Sequence, residues 1–362
     1  MPNESTVNFC KSELFEGVSS LYLPSCSEHV ITVHADSDTS IYETALATMR
    51  RLDASPITRF VFGSLDPSDE MISVPAIQVR GDSSRHRDRL SSLQIVASTG
   101  RELEAIRLNG SEVGYVYEDD YARYCRIGAL YPDCIQMPKA EQTRAVFRQM
   151  DRILHDCGMQ ASDLVRTWFY LDRLLEWYEQ FNDVRTAFFE ETGIFDKLVP
   201  VSTGIGAANP HGAALAAGAL AIQPKGRGLE IARVASPLQC EAEDYRSSFS
   251  RAVELLYPNH RLLLISGTAS IDPQGRSAHV GDTSAQIELT MRVVGRILES
   301  RGMDWGNAAR AIAYFKDIDD HPLFESYCRR EGISEFPTAI AEADVCRDDL
   351  LFEIEVDAVA TP

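Results

Sequence analysis

Arg152-Ile153-Leu154, Gly158-Met159, Arg166 and Tyr170 return as Arg296-Ile297-Leu298, Gly302-Met303, Arg310 and Tyr314, all at one offset of 144 residues (296 − 152). Seven ungapped identities at a fixed spacing mark one supersecondary unit used twice. A ligand site is therefore expected between related halves, where concave surface forms. In the first copy, Val146, Met150, Ile153 and Leu154 fall at helical spacing and stop at Gly158, so Glu141 to Cys157 is predicted helical with a glycine just past its end. The β-branched and aromatic run Leu164 to Leu171 predicts a strand. A second helix is expected over Leu174 to Glu191 and a second strand over Gly212 to Ile222. The second copy keeps this order: helix Ser284 to Ser300, strand Ala308 to Phe315, helix Pro322 to Arg330 and strand Leu350 to Ala358. It is preceded by a buried strand, Arg261 to Ile271, broken at Gly267.

Strands that need both faces covered, interleaved with amphipathic helices, define an α+β protein of two related α/β layers with mixed sheets. Pro224-Lys225-Gly226-Arg227-Gly228 is the expected boundary, giving an N-terminal domain over 1–223 and a C-terminal domain over 229–362. Residues 1 to about 85 alternate short apolar runs (20–23, 30–33, 59–63) with Ser/Asp-rich turns and read as strands and loops. Ser83 to Arg89 reads as a charged, solvated connection; 93–96 and 113–117 are again strand-like.

A formal charge of −19 argues against nucleic acid and anionic membrane as partners, since both attract a basic face. An anionic substrate would have to be gripped by local arginines. No apolar run reaches the ~20 residues of a membrane span, and the first residues carry no secretory signal, so a cytoplasmic location is expected. The eight cysteines show no Cys-x-x-Cys and no paired His/Cys spacing, which excludes the usual zinc pattern and argues against a disulfide framework.

In the last strand, Leu350, Phe352, Ile354 and Val356 point one way and Leu351, Glu353, Glu355 and Asp357 the other. Two readings stand: the acidic face is wet, or Glu353 faces a roofed cleft where desolvation raises its pKa and makes it a proton donor near neutral pH. Cys346, beside Arg347, reads as packing or as a poised thiol. Gly267 is a bulge glycine or an opening for a ligand against the backbone. Val201 to Ala207 looks like a comparable approach loop, without the spacing of a dinucleotide fingerprint. Tyr178 and Arg185, seven apart on one helix face, suit a carboxylate, or else cover core and face solvent respectively. The same pair of readings applies to Tyr245 and Arg251.

The segments Arg166-Thr167-Trp168-Phe169-Tyr170, Ser202-Thr203-Gly204-Ile205-Gly206-Ala207, Ile265-Ser266-Gly267-Thr268-Ala269 and Arg347 to Glu355 together resemble the chorismatase family. The C-terminal half resembles the YjgF-like (reactive imine deaminase) fold. The resemblance covers the chain from about Tyr117 onward and implies two related YjgF-like units. It further implies cleavage of chorismate with release of pyruvate, without metal or organic cofactor. Carried across by motif position, Glu353 would protonate the enolpyruvyl methylene, and Tyr178, Arg185, Tyr245 and Arg251 would contact the two substrate carboxylates. Family members that hydrolyse chorismate tend to carry alanine where this chain has Gly267 and Cys346, whereas those making 3-hydroxybenzoate resemble it at both. The resemblance thus favours a 3-hydroxybenzoate synthase, with Cys346 as a nucleophile or acid-base group beside the ring. A hydrolytic chorismatase giving a dihydroxycyclohexadiene carboxylate, and a non-catalytic YjgF-like binding protein, are the alternatives. Imine deaminases of the wider fold hold substrate with an arginine shortly after a proline; here Pro337 is followed by Thr338-Ala339, so that reading loses its main binding group. YjgF-like units commonly trimerise, and an internal repeat can replace subunits, so both a monomer and a homo-oligomer, including a trimer, fit the sequence.

Overall fold

The computed structural model describes residues 11–15, 18–23, 28–34, 41–63, 73–80, 92–226, 228–245 and 247–361. It contains three six-stranded sheets of one topology. The first has β1 (Lys11–Phe15), β2 (Val18–Leu23), β3 (Glu28–His34), α1 (Ile41–Leu52), β4 (Ala54–Phe62), β5 (Ala76–Val79) and β6 (Ser92–Thr99), in strand order β1-β2-β3-β6-β4-β5. The second has β7 (Glu104–Leu108), β8 (Ser111–Glu118), β9 (Ala122–Leu130), α2 (Lys139–Asp156), β10 (Leu164–Leu171), α3 (Tyr178–Glu191), β11 (Val201–Gly206) and β12 (Leu215–Pro224). The third has β13 (Glu230–Val234), β14 (Ala252–Leu256), β15 (Arg261–Ala269), α4 (Thr283–Ser300), β16 (Ala308–Phe315), α5 (His321–Arg330), β17 (Thr338–Glu342) and β18 (Phe352–Ala360). In each, an antiparallel meander leads through a helix to a strand pair joined in parallel, and the last strand inserts between them.

The expected α+β architecture with mixed sheets and two related units is present, and residues 11–99 add a third unit of the same order. Where the sequence predicts only strands and loops, this unit also contains α1. Its buried stripe, Ile41, Tyr42, Ala45, Thr48 and Met49, uses small and hydroxylated residues at helical spacing, which weakens the apolar signal. Val201 to Gly206, expected as a loop, is the edge strand β11, paired in parallel with β10. The boundary expected at 224–228 falls between β12 and β13; Arg227 in it, and the charged segment 83–89, lie outside the described residues.

The identities of the repeat have two physical causes. After α2, Gly158 takes φ 72°, its N–H reaches the His155 carbonyl (2.9 Å) and the Met159 N–H reaches that of Leu154 (2.8 Å). After α4, Gly302 takes φ 67°, with Gly302 to Glu299 at 3.0 Å and Met303 to Leu298 at 3.0 Å. This is the Schellman ending, which needs a left-handed residue and an apolar one after it. Met159 and Met303 are both buried. Leu298 is fully buried under the third sheet with Ile287, Met291, Val294 and Ile297, and Leu298→Ala there should cost about 2–5 kcal/mol.

The second cause is a pseudo-threefold axis. The three sheets turn their helix-free faces toward one central core. Register places Phe62, Tyr170 and Tyr314 at equivalent points. Their ring centroids lie 6.5, 6.2 and 6.3 Å apart, and the hydroxyls of Tyr170 and Tyr314 hydrogen-bond at 2.8 Å. One layer along are Phe60, Trp168 and Ile312, and beyond them Thr58, Arg166 and Arg310. The residues repeated at 166/310 and 170/314 are those that meet on the axis.

Candidate active site

Along β18, Phe352, Ile354, Val356 and Ala358 enter the core under α4. The opposite face points not to solvent but to the neighbouring module: Glu353 is 5% exposed and Glu355 fully buried. The wet-face reading therefore fails, because the second module covers the strand. Glu353 opens into a cleft with about 430 Å³ of empty space, part of it open to solvent. The third module lines it with Arg251, Gly267, Cys346 and Glu353, and the second with Tyr178, Arg185, Ser202 and Gly204; Ser247, Phe249, Ala269 and Ile271 complete the wall. Six residues singled out from the sequence are thus brought together. Tyr245 ends a short 3-10 turn, Ala242–Tyr245, and its side chain lies outside the described residues.

Desolvation, reinforced by the charge of Glu355 and opposed by Arg251, raises the Glu353 carboxyl to about 8. At pH 7 the acid form is then in roughly tenfold excess. Gly267 sits at the irregularity between Ile265 and Thr268 in the β15–β18 ladder. A Cβ there would lie 2.0 Å from Glu353 Oε1 and 3.3 Å from Thr203 Cγ2, so the carboxyl occupies space that only glycine leaves.

Two guanidiniums face the cavity. Arg185, on α3, is 1% exposed, donates from Nη2 to Asn182 Oδ1 at 2.7 Å and lies over the Phe181 ring at 5.4 Å; the reading of it as solvated does not hold. Arg251, just before β14, donates from Nε and Nη2 to the Cys240 carbonyl at 2.9 and 2.7 Å. Phe249 stands between them, 6.0 Å from one and 5.4 Å from the other. Tyr178 opens α3 seven residues before Arg185; burial pushes its hydroxyl up to about 12. Burial also pushes the Cys346 thiol up to about 12, with Glu353 adding to the rise and Arg347 opposing it more weakly. At neutral pH this cysteine is a neutral thiol in spite of the neighbouring guanidinium, which fits the packing reading better than that of a poised thiol.

Sequence reasoning did not single out Ser247, Phe249 and Ile271; none carries a pattern that separates it from ordinary packing. It also left Glu355 as part of an alternating strand. Glu355 accepts from Arg310 Nη2 (2.5 Å), from Trp168 Nε1 (3.1 Å to each oxygen) and from Thr203 Oγ1, and pairs with Arg166 Nη2 at 3.2 Å. Asp357 bridges the same two arginines. Burial works to raise Glu355, but Arg166, Arg310 and the bonds from Thr203 and Trp168 bring it down to about 2. The signal that existed was the repeat: arginines 166 and 310 recur on the inner face of a strand, where a guanidinium requires an anion.

Among the described residues no group of three or more His, Cys, Asp or Glu is arranged to hold a metal ion, and no helix is long and apolar enough to cross a membrane. The six cysteines described are free.

The fold is that of a solved chorismatase, which covers 92% of this chain and 98% of its own with a TM-score of 0.65 at 20% identity. In sequence, the chain is similar to a chorismatase of Streptomyces hygroscopicus, 28% identical over 239 residues that make up 60% of this chain and 67% of that one. It is also similar to a 3-hydroxybenzoate synthase of the same organism, 27% identical over 244 residues, 59% of this chain and 68% of the relative. No family model matches the chain. The resemblance drawn from the sequence is borne out by these relatives.

Proposed function

We propose that the protein cleaves chorismate, releasing pyruvate, with Glu353 as the acid that starts the reaction. The observation that carries this is a dry carboxylic acid, raised to about 8, in a cavity shared with two buried arginines of a strongly acidic protein. Chorismate carries two carboxylates and an enolpyruvyl ether. Arg185 and Arg251 supply local cations for the carboxylates, and Tyr178 a neutral hydroxyl donor; Tyr245 is assigned to the same end by motif position. Protonation of the vinyl methylene by Glu353 makes an oxocarbenium-like carbon and weakens the ether bond to the ring. A charged carboxylate could not do this, so burial is part of the chemistry.

The product proposed is 3-hydroxybenzoate. The atoms of chorismate equal those of 3-hydroxybenzoate plus pyruvate, so water neither enters nor leaves along this route, whereas hydrolysis to the diol consumes one. Loss of pyruvate is then intramolecular: the ring hydroxyl beside the ether attacks the ether carbon as the bond to pyruvate breaks. Its old C–O bond opens with the Cys346 thiol assisting as acid or base, and the ring proton lost on aromatisation restores the one that Glu353 gave. The apolar wall of Phe249, Ala269 and Ile271 and the neutral thiol of Cys346 favour exclusion of water. Incubation of the full chain with chorismate, followed by chromatography of products and assay of pyruvate, tests the proposal. Pyruvate and 3-hydroxybenzoate are expected in equal amounts; a non-aromatic diol overturns the product, and no consumption of chorismate overturns the reaction. The rate should fall as pH rises through about 8, where Glu353 loses its proton.

A further inference from the structure

We propose that Glu355 is a positioning residue for this reaction: a fixed anion, clamped on the pseudo-threefold axis, that holds its strand neighbour Glu353 in the acid form. The inference rests on the proposed role of Glu353 and concerns what maintains it. Two residues apart on β18, the carboxylates point to one face with Cα atoms about 7 Å apart. Glu353 opens to the cavity described above, while Asp357, two residues beyond Glu355, opens to a second cavity of about 510 Å³ along the axis. Glu355 lies between them, fully buried.

The clamp comes from three strands of two modules: Arg166 and Trp168 on β10, Thr203 on β11 and Arg310 on β16. The two arginines call for an anion nearby, but the strand ladder itself does not require a carboxylate at this register position. The equivalent residue of the first module is Gln94, whose Oε1 accepts from Arg310 Nε at 2.5 Å, and that of the second is Gly218. An amide and a glycine thus serve the same ladder. Only the strand that carries Glu353 has an anion there.

The other groups facing Glu353 do not supply a negative charge. Arg251 before β14 and Arg185 on α3 are cations, which favour loss of the proton. Tyr178 on α3 and Cys346 in the β17–β18 connection are held neutral by burial. Tyr314, opposite Glu353 on β16, is likewise pushed further up by burial and hydrogen-bonds to Tyr170 on β10. Glu355 is the anion that opposes the arginines, and its own four clamping partners keep it from taking the proton instead.

The test is a pH titration of the full chain labelled with glutamate carrying 13C at the side-chain carboxyl, the Glu353 resonance being identified by its loss in Glu353→Gln. In Glu355→Gln the Glu353 midpoint is expected to fall by about one pH unit, and the alkaline limb of kcat/KM for chorismate to move with it while the low-pH plateau is kept. An unmoved midpoint, or a plateau lost with the limb unmoved, overturns the proposal. Glu355→Gly copies the residue at the equivalent place of the second module and removes the same charge; if Glu355→Gln does not fold, an unmoved midpoint in Glu355→Gly decides against the proposal. The resonance reports without substrate. Failure of the wild-type chain to consume chorismate would therefore sink the proposed reaction and leave the coupling of the two carboxylates still decided by the titration.

Discussion

The cleft between the second and third modules and the cleft between the third and the first use the same backbone positions and fill them differently. In the first of these, β11 presents Gly204 and β18 presents Glu353. In the other, the equivalent positions are Ile340 on β17 and Ser92 on β6. The Ile340 N–H donates to Ser92 Oγ at 2.9 Å, so the side chain that replaces the acid ties the two modules together. In the remaining cleft Gln78 and Ala216 stand at these places, and Gln78 bonds the Gly63 carbonyl at 3.0 Å. Three clefts of one geometry thus carry an acid at this place in one case and a serine or an alanine in the other two. Pseudo-symmetry supplies the cleft; departures from it supply the chemistry.

The largest expected effect comes from removing the acid from the cleft that carries it. Glu353→Gln keeps shape and removes the proton, and chorismate turnover measured by pyruvate release should drop about 10²–10⁴-fold, the usual contribution of a positioned general acid. Retained turnover would return the site to the binding-protein reading. Next is Gly204→Ile, copying Ile340. A Cβ at Gly204 meets the Tyr178 hydroxyl at 3.5 Å, so an isoleucine has to grow into the cavity. Space taken from the ligand should appear as a several-fold to hundredfold rise in KM, about 1–3 kcal/mol of lost binding, with the melting temperature little changed, and an unchanged KM would mean that the ligand does not reach β11.

Smaller still are two changes that leave the acid in place. Gly267→Ala puts a Cβ within 2.0 Å of Glu353 Oε1, so the carboxyl has to swing away. Turnover is expected to fall about tenfold, and the surviving product to shift toward the diol; an unaltered product ratio at full rate would show that the carboxyl position is not critical. Cys346→Ala keeps Glu353 and its surroundings apolar but removes the thiol. The product is expected to move away from 3-hydroxybenzoate with the total rate of pyruvate release within a few-fold of wild type. Unchanged product ratios would remove the thiol from the mechanism.

The three modules also differ in how much of their structure the sequence conveys. The helices and strands of the second and third modules were legible because their Schellman endings and axial residues recur unchanged, as at Gly158/Gly302 and Tyr170/Tyr314. The first module keeps the same geometry with other residues: Asp53, at φ 50°, ends α1 where glycine ends the others, and Thr58, Phe60 and Phe62 occupy the axial positions. Identity is lost there while backbone and apolar character persist, so a search for repeated letters passes over it. At the site, the alternation of β18 correctly separated Glu353 from Phe352 and Ile354, but alternation reports that two faces differ and not what covers the polar one. Cover came from Arg166, Trp168 and Thr203, 150 or more residues earlier in the chain. The neutral state of Cys346 was equally out of reach, because the depth of burial and not the neighbouring Arg347 dominates.

The smallest expected effect concerns the axis itself. Tyr314→Phe converts the ring trio Phe62, Tyr170 and Tyr314 into one with a single hydroxyl, using a side chain the first module already carries at the equivalent place. The ring and its edge contacts remain, so no cavity opens. What is lost is one hydrogen bond of 2.8 Å between buried hydroxyls, and the Tyr170 hydroxyl is left to find another partner among groups that are already engaged. A loss of about 1 kcal/mol in unfolding free energy is expected, read from denaturant midpoints at constant slope, with kcat and KM for chorismate unchanged. A loss several times larger would mean that the two hydroxyls belong to the same polar network as Arg310 and Glu355, and the axis would then couple the cleft that holds Glu353 to the other two instead of only holding the three sheets together.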